Sequence, residues 1–447
     1  MLIGQASINL TANILSALLG LLSVFVFTRL FSPHDYGTYL LGTGFASVIS
    51  VFLAGWFRNL VLSGHARNDG TDVRGLVASG FLLSCLTAPI AYGLGVLTGL
   101  GAAAAVAAIA LSIAIAFFDL TQDLIRARLR AFAVMRGTLV RSAGVLCLGV
   151  LVALVSPTGL VLLLSSTAAC LIAILVQSRT AWRGTMMVFD RADLAALARQ
   201  GLPLTVSLTL LAVSSVADRF VIANLVGAAD AGRYVAALDL VRQTLMLPAM
   251  SAAAALGFAM ISAHVANVVL GADFREIAAQ TMPIVAVAVI FQILTQQYLH
   301  ASFLLSGRNS FYLINTASII VANVILSCVL VESHGTVGAA WARLGADVIG
   351  FLCALVLSRS AFPVPLPAGR LALVMIAALI MALMVGALDR HLHVGDLTAC
   401  IVLACTGFCS YAALCWLFDI SRLRRRLKSG VALLRTKRAN LTIGPSP

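Results

Sequence analysis

Arginines within apolar segments are the residues of this sequence with the most specific chemistry. Arg58 and Arg219 lie within or near the ends of such segments, and neither has an acidic residue three or four positions away. A guanidinium group holds phosphate-like anions through paired hydrogen bonds, so these two side chains, together with Arg29, are candidates for an anion site. The alternative is that each side chain extends towards lipid headgroups.

Polar side chains also recur at helical spacing in three apolar segments. In order along the chain, the three sets are Gln5, Asn9, Asn13 and Ser16; Ser207, Ser214 and Asp218; and Gln292, Gln296 and His300. Residues three or four apart share one face of a helix, so these stripes predict the polar lining of an internal cavity. Hydrogen bonding that only joins helices to each other is the alternative.

Several other charged residues in the apolar segments have a partner on the same predicted helix face. The pairs, each three or four residues apart, are Asp123 with Arg126, Asp239 with Arg242, and Arg343 with Asp347. The two members of such a pair neutralise each other, which indicates a structural role. Asp119 has no basic residue at this spacing and is a candidate site for a coupling cation or proton.

The composition places these residues in a membrane protein. Of 447 residues, 61% are hydrophobic and 11% are charged, and the mean hydropathy is +1.03. Twelve segments are long and apolar enough to cross a bilayer core of about 30 Å. They lie at about residues 8–30, 38–62, 75–97, 103–126, 138–155, 159–178, 203–226, 279–305, 310–331, 336–358, 369–388 and 396–418. We expect an all-α polytopic membrane protein with 12–14 transmembrane helices and no large soluble domain.

The distribution of arginine predicts the orientation of these helices. Arginine-rich loops alternate with loops that carry no positive charge, so the positive-inside rule places both termini in the cytoplasm. The number of crossings must then be even, and residues 231–270 contain either two short helices or no complete crossing. The net charge of +13 is confined to the cytoplasmic loops and tail, which favours contact with anionic lipid over nucleic-acid binding.

Neither the cysteines nor the lysines indicate a cofactor. All nine cysteines lie in apolar segments without an accompanying cluster of histidines and carboxylates, which is typical of small buried hydrophobes rather than of a metal site or a disulfide framework. The two lysines, Lys428 and Lys437, do not follow the Gly-rich turn of a nucleotide-binding loop. We expect no cofactor and no direct ATP hydrolysis.

The segment at 24–39 recurs about two hundred residues later. VFVFTRLFSPHDYGTY aligns with RFVIANLVGAADAGRY (219–234) with six identities in sixteen positions. In both copies an apolar helix ends, an acidic residue and a glycine form a short turn, and a new helix begins. The repeat predicts two pseudo-symmetric six-helix lobes around a central cavity. The predicted units are the lobes at 1–180 and 201–360, a cytoplasmic linker at 181–200, an additional helix pair at 361–420 and a basic tail at 421–447.

Four segments also resemble a known transporter group. They are RLFSPHDYGTY (29–39), the stretch at 200–238 that begins QGLPLTVSLTLL, GADF (271–274) and LLSGRN (304–309). They look like segments of polysaccharide or O-antigen flippases of the multidrug/oligosaccharidyl-lipid/polysaccharide exporter superfamily. The resemblance implies a bacterial inner-membrane protein that moves a polyprenyl-diphosphate-linked oligosaccharide from the cytoplasmic to the periplasmic leaflet, for exopolysaccharide, O-antigen or capsule synthesis. Membrane lipids and polysaccharide polymerase or assembly proteins are the other expected partners.

With this resemblance, the anion bound by Arg58, Arg219 and Arg29 is expected to be the diphosphate of the substrate. Two other functions are open. A drug or metabolite/cation antiporter of the same superfamily would need more acidic residues in the first lobe, whereas the unpaired charges here are mostly positive. A membrane-embedded polysaccharide polymerase or ligase would need a large external loop with catalytic residues, and the richest external segment, DRHLHVGD (389–396), is short.

Overall fold

Fifteen α-helices form the protein in the computed structural model, which describes residues 2–66, 74–186, 189–246, 252–306, 309–361, 368–392 and 394–418. All regular structure in these ranges is helical, as predicted. The helices of the first half are α1 (Leu2–Leu30), α2 (Pro33–Ala66), α3 (Arg74–Cys85), α4 (Ala88–Leu97), α5 (Ala102–Ala127), α6 (Ala131–Val155) and α7 (Gly159–Trp182).

The second half begins with the longer helix α8. Its helices are α8 (Arg191–Leu225), α9 (Ala228–Met246), α10 (Ala252–Val269), α11 (Ala272–Ile293), α12 (His300–Ser306), α13 (Asn309–Ala361), α14 (Ala368–Asp389) and α15 (Asp396–Leu417). Asp190 caps α8 by accepting hydrogen bonds from the backbone N–H groups of Ala192 and Asp193, so the helix starts inside the predicted linker at 181–200. The predicted tail at 421–447 lies outside the described residues.

Four of the predicted spans correspond to broken or joined helices. α3 and α4 bend by 44° at a short break and together match one span. α13 turns at Gly335, whose φ of 57° and ψ of −137° are not helical, so its two arms, 309–334 and 336–361, match two predicted spans. α11 continues through one π-helical segment, Leu294–Leu299, into α12.

The unsettled region at 231–270 forms helices α9 and α10. Ten described helices qualify as membrane spans by length and apolarity, and α9 is not among them because it carries four charged residues. Its surroundings explain how it is accommodated: Ala231 and the residues from Tyr234 to Leu238 are almost completely buried by neighbouring helices. With broken spans counted once and α13 counted twice, the described chain has fourteen helical segments; the two predicted alternatives, twelve or fourteen crossings, both stay open.

Helix α2 is the centre of the packing. It contacts α5 and α7 on one side and α8 and α9 on the other, while α13 packs against α8 and α11. α1 packs mainly against α6, and its exposed apolar side chains are suited to lipid. The additional pair α14–α15 packs against α10. The predicted division into two pseudo-symmetric lobes stays a prediction.

The two copies of the sequence repeat touch each other at Gly37 and Gly232, which lie near the starts of helices α2 and α9 rather than in the preceding turns, where the sequence predicted them. α1 ends at Leu30 and α2 begins at Pro33, and the equivalent turn joins α8 to α9. A Cβ atom on Gly232 would lie 2.5 Å from the carbonyl oxygen of Pro33 and 2.7 Å from the Cα atom of Gly37. A Cβ atom on Gly37 would overlap the carbonyl oxygen of Ala228. Close backbone approach between the two helices therefore requires both glycines, and neither has the left-handed φ of a turn glycine.

We predict that Gly232→Ala lowers the stability of the folded protein by about 1–3 kcal/mol, because the added methyl group forces the two hairpins apart. Gly93→Ala is the matched control, since a Cβ atom there would meet nothing within 4 Å. Thermal unfolding of the purified protein in detergent measures both. Equal melting temperatures for Gly232→Ala and Gly93→Ala would show that the hairpins do not pack in this way.

Candidate substrate cavity

A cavity of about 560 Å³ lies among α2, α5, α8, α9, α11 and α13. Part of its wall is apolar and consists of Val51, Leu208, Leu211 and Ile319. The charged residues in the wall are Asp123, Arg242, Arg343 and Asp347. A cavity with both kinds of surface is suited to a ligand that carries polar groups next to apolar ones.

Four of the residues predicted to line a cavity line this one: Ser214, Gln292, Gln296 and His300. Of the last three, Gln292 comes just before the π-helical segment that joins α11 to α12, Gln296 lies in it and His300 follows it directly. π-Helical turns widen a helix and are frequent at functional sites. The amide nitrogen of Asn315 on α13 lies 3.0 Å from Nε2 of His300 and donates to it. This hydrogen bond fixes the ring at the cavity wall.

The other predicted lining residues lie elsewhere. Asn13 lines a second cavity of about 600 Å³ among α1, α2, α5, α6, α7 and α9. Asn9 is exposed on α1, and the side chain of Gln5 lies outside the described set. Asp218 is completely buried next to the first cavity rather than in its wall.

Asp218 belongs to a buried network that joins α8, α9 and the second arm of α13. Its carboxylate accepts a hydrogen bond from Tyr234 at 3.2 Å and an ion-pair contact from Nη1 of Arg343 at 3.4 Å. Nε of Arg343 donates to Asp347 at 3.0 Å, which confirms the pair predicted from the sequence. Arg343 therefore lies between two carboxylates and supplies the positive charge that both need in the interior.

A second ion pair joins α8 to α9. Nη2 of Arg219 donates to Asp239 at 3.0 Å, so Asp239 does not pair with Arg242 as its sequence spacing predicted. Arg242 instead donates to the backbone carbonyl of Ser215, at 3.4 Å from each terminal nitrogen. Among the described residues, no carboxylate oxygen lies within 4.0 Å of its guanidinium group. Arg242 thus faces the cavity with most of its donors available, a role that helical spacing alone did not reveal.

The three arginines predicted to bind an anion have different surroundings. Arg219 is bound to Asp239 and does not line the first cavity. Arg29 donates to the carbonyl oxygens of Val268 and Val269 at 2.9 and 2.6 Å, so it caps the carboxyl end of α10. Arg58 lies in α2, in a part where side chains are not described. The role of all three in binding stays a prediction.

The predicted ion site, Asp119, does not line the first cavity. Asp119 is partly buried on α5, and both it and Arg141 are in electrostatic range of Cys170. Arg141 and Cys170 line the second cavity together with Asn13 and Ser16 of the predicted α1 stripe. Coupling of an ion to transport at Asp119 stays a prediction. The described residues hold no group of three or more histidines, cysteines or carboxylates arranged as a metal site.

Comparisons with known proteins agree with this arrangement. A family model described as polysaccharide biosynthesis protein matches residues 3–264, more than half of the chain. Among solved structures, the fold is similar to that of a lipid II flippase MurJ in an inward closed conformation, with a TM-score of 0.71 and 14% sequence identity over 92% of this chain and 98% of the other.

Multidrug transporters have a similar fold at lower structural likeness. A variant of the Vibrio cholerae MATE transporter VcmN matches with a TM-score of 0.52 and 15% identity, over 80% of this chain and 97% of the other. No curated protein sequence matches this chain significantly. Because the sequence identities are low, these structural matches show the fold alone.

We predict that Arg219→Gln and Asp239→Asn each destabilise the protein by roughly 3 kcal/mol, because either change leaves one charge unpaired in the interior. The double variant should lose much less than the sum of the two single losses. A double-mutant cycle of thermal unfolding in detergent measures this coupling. Additive losses would mean that the two side chains do not interact.

Proposed function

Because the chain belongs to the polysaccharide biosynthesis protein family, we propose that it moves a polyprenyl-diphosphate-linked oligosaccharide from the cytoplasmic to the periplasmic leaflet. The fold is that of membrane flippases and transporters. The observation that supports this particular substrate is Arg242, whose guanidinium group faces the cavity without a carboxylate partner among the described residues. A diphosphate presents several acceptor oxygens, which match the fork of guanidinium donors.

The rest of the cavity wall fits the sugar that follows the diphosphate. Gln292, Gln296 and Ser214 offer neutral donors and acceptors suited to hydroxyl groups. The cavity volume of about 560 Å³ is in the range of small-molecule pockets. It is too small to hold the polyprenyl chain in addition to the diphosphate and sugars. We therefore place the diphosphate and the first sugars inside the cavity and leave the polyprenyl chain in the bilayer.

The cation antiporter is the second candidate, because the fold is shared with multidrug transporters. A site for organic cations needs a carboxylate that is free to attract them. Both carboxylates in the cavity wall are already bound by arginine, Asp347 by Arg343 at 3.0 Å and Asp123 by Arg126 at 3.3 Å. The available charge in the wall is that of Arg242, which favours an anion.

The proposal includes the cellular setting. We place the protein in the bacterial inner membrane with both termini in the cytoplasm, in accord with its arginine-rich loops. O-antigen, capsule or exopolysaccharide synthesis would be the pathway, and the polymerase and assembly proteins of that pathway are the proposed partners. Movement of an anionic lipid out of the cytoplasm is opposed or assisted by the membrane potential, according to the ions that accompany it.

We predict that Arg242→Ala lowers the transport rate at least about tenfold, because loss of a charge-assisted pair of hydrogen bonds weakens the hold on the diphosphate. Arg242→Lys should retain an intermediate rate, since it keeps the charge but loses the fork geometry. The assay uses proteoliposomes that contain a fluorescent polyprenyl-diphosphate oligosaccharide, and a membrane-impermeant quencher reports which leaflet holds it.

Arg359→Ala is the matched control, because Arg359 is exposed at the last turn of α13 and away from the cavity wall. It should transport at the wild-type rate. Full activity of Arg242→Ala would remove Arg242 from the site while leaving the function intact. If the wild-type protein moved no labelled substrate between the two leaflets in either direction, the proposed function itself would be contradicted.

A further inference from the structure

One histidine, His264, is within hydrogen-bond distance of both helices of the additional pair. His264, on α10, places Nδ1 2.7 Å from Oδ1 of Asp396, the first residue of α15. Its Nε2 lies 2.9 Å from Oδ1 of Asp389, the last residue of α14. The two carboxylates flank the turn of the short DRHLHVGD segment, so one imidazole ring holds both ends of this turn.

The geometry identifies the charge of the ring. An ionised carboxylate accepts hydrogen bonds but does not donate them, and a neutral imidazole has only one N–H group. Both nitrogens can therefore donate to the two carboxylates only when the ring is an imidazolium. Loss of one proton removes one of the two hydrogen bonds and the positive charge that both aspartates contact.

The packing of the helix pair makes these contacts important. In the described part of the chain, α14 and α15 make extensive contact with one helix besides each other, and that helix is α10. The shared interface is apolar and includes Met381, Val385 and Leu403. Apolar packing between helices gains little in a bilayer, because lipid tails are as apolar as the side chains, so polar contacts contribute much of the specificity.

We propose that His264, Asp389 and Asp396 form a pH-sensitive clip that fixes the α14–α15 pair against α10. The clip is closed when His264 is an imidazolium. It loosens when the pH rises and the ring loses a proton, after which one hydrogen bond from the neutral ring, the hydrogen bond between Asn267 and Asp396 and the apolar packing remain. This inference is independent of the substrate that the protein carries.

The other charged groups at this end of the bundle do not replace the histidine. Arg275 of α11 acts on Asp396 from a distance, and Arg29 of α1 is engaged with the backbone carbonyls at the end of α10. On α9, Asp230 and Arg233 are paired with each other at 2.8 Å. Arg390 and His391, on the turn itself, are exposed. His264 is the imidazole that bonds both carboxylates, so its titration changes the clip directly.

The predicted orientation gives the clip a physiological setting. The turn between α14 and α15 lies at the same end of the bundle as the turn between α1 and α2, because Gly271, just after α10, contacts Thr28. With a cytoplasmic amino terminus, this end faces the periplasm. The pH there follows the external medium, so the clip would respond to external alkalinity.

Hydrogen–deuterium exchange of the full-length protein in lipid nanodiscs tests the proposal. Backbone amides at 386–400 are followed at pH 6 and pH 9, after correction for the intrinsic effect of pH on exchange. In the wild type we expect about tenfold faster exchange at pH 9, because one charge-assisted hydrogen bond is lost. His264→Gln should exchange rapidly at both pH values, and Asp396→Asn should be rapid at pH 6 as well.

His334→Gln is the matched control, since His334 is exposed and bonded to Ser333 rather than to a carboxylate. It should keep the wild-type pH dependence. Equal exchange of the wild type at both pH values would overturn the pH-sensitive clip. Slow, pH-dependent exchange in His264→Gln would also overturn it, because another group would then control the turn.

Discussion

Three arginines and three aspartates lie next to one another inside the helical bundle, where an unpaired charge is very costly. The group consists of Arg219, Arg242, Arg343, Asp218, Asp239 and Asp347. These residues come from α8, α9 and the second arm of α13, so charge compensation requires the three helices to stay together. It also explains why α9 lies inside the bundle, since Asp239 pairs there with Arg219 of α8 and would not find this partner in lipid.

The balance of three positive and three negative charges has a consequence for the proposed transport. The cavity wall attracts an anion through available donors on Arg242 rather than through a large net positive charge. A substrate bound in this way can also be released, which a carrier requires. A diphosphate in the cavity would make the site negative, so its passage needs either a change of ion pairs or an accompanying cation. Arg219 and Arg242 both lie near Asp239, which makes a change of partner physically reasonable.

The sequence predicted those features that depend on neighbours along the chain. Spans and the Arg343–Asp347 pair follow from apolar length and helical spacing, and the structure confirms them. The stripe at Gln292, Gln296 and His300 was likewise visible as a cavity face. The recurrence of the first hairpin predicted a second one, although the contact between Gly37 and Gly232 depends on tertiary packing and was not visible.

Features that depend on tertiary partners were missed for a physical reason. Hydropathy measures preference for lipid, whereas much of α9 is buried by protein, so its four charges left the sequence undecided between two short helices and no complete crossing at 231–270. Local spacing joined Asp239 to Arg242, whereas a better-placed partner, Arg219, comes from another helix. The same limit hid the contact of His264 with Asp389 and Asp396, which are more than one hundred residues away in sequence.

The most direct measurement of the proposed role is the leaflet distribution of polyprenyl-diphosphate-linked oligosaccharide in cells depleted of this protein. The account predicts that the lipid-linked sugar accumulates on the cytoplasmic leaflet and that expression of the wild-type chain returns it to the periplasmic leaflet. An unchanged amount and an unchanged distribution in depleted cells would contradict the account and would favour the cation antiporter.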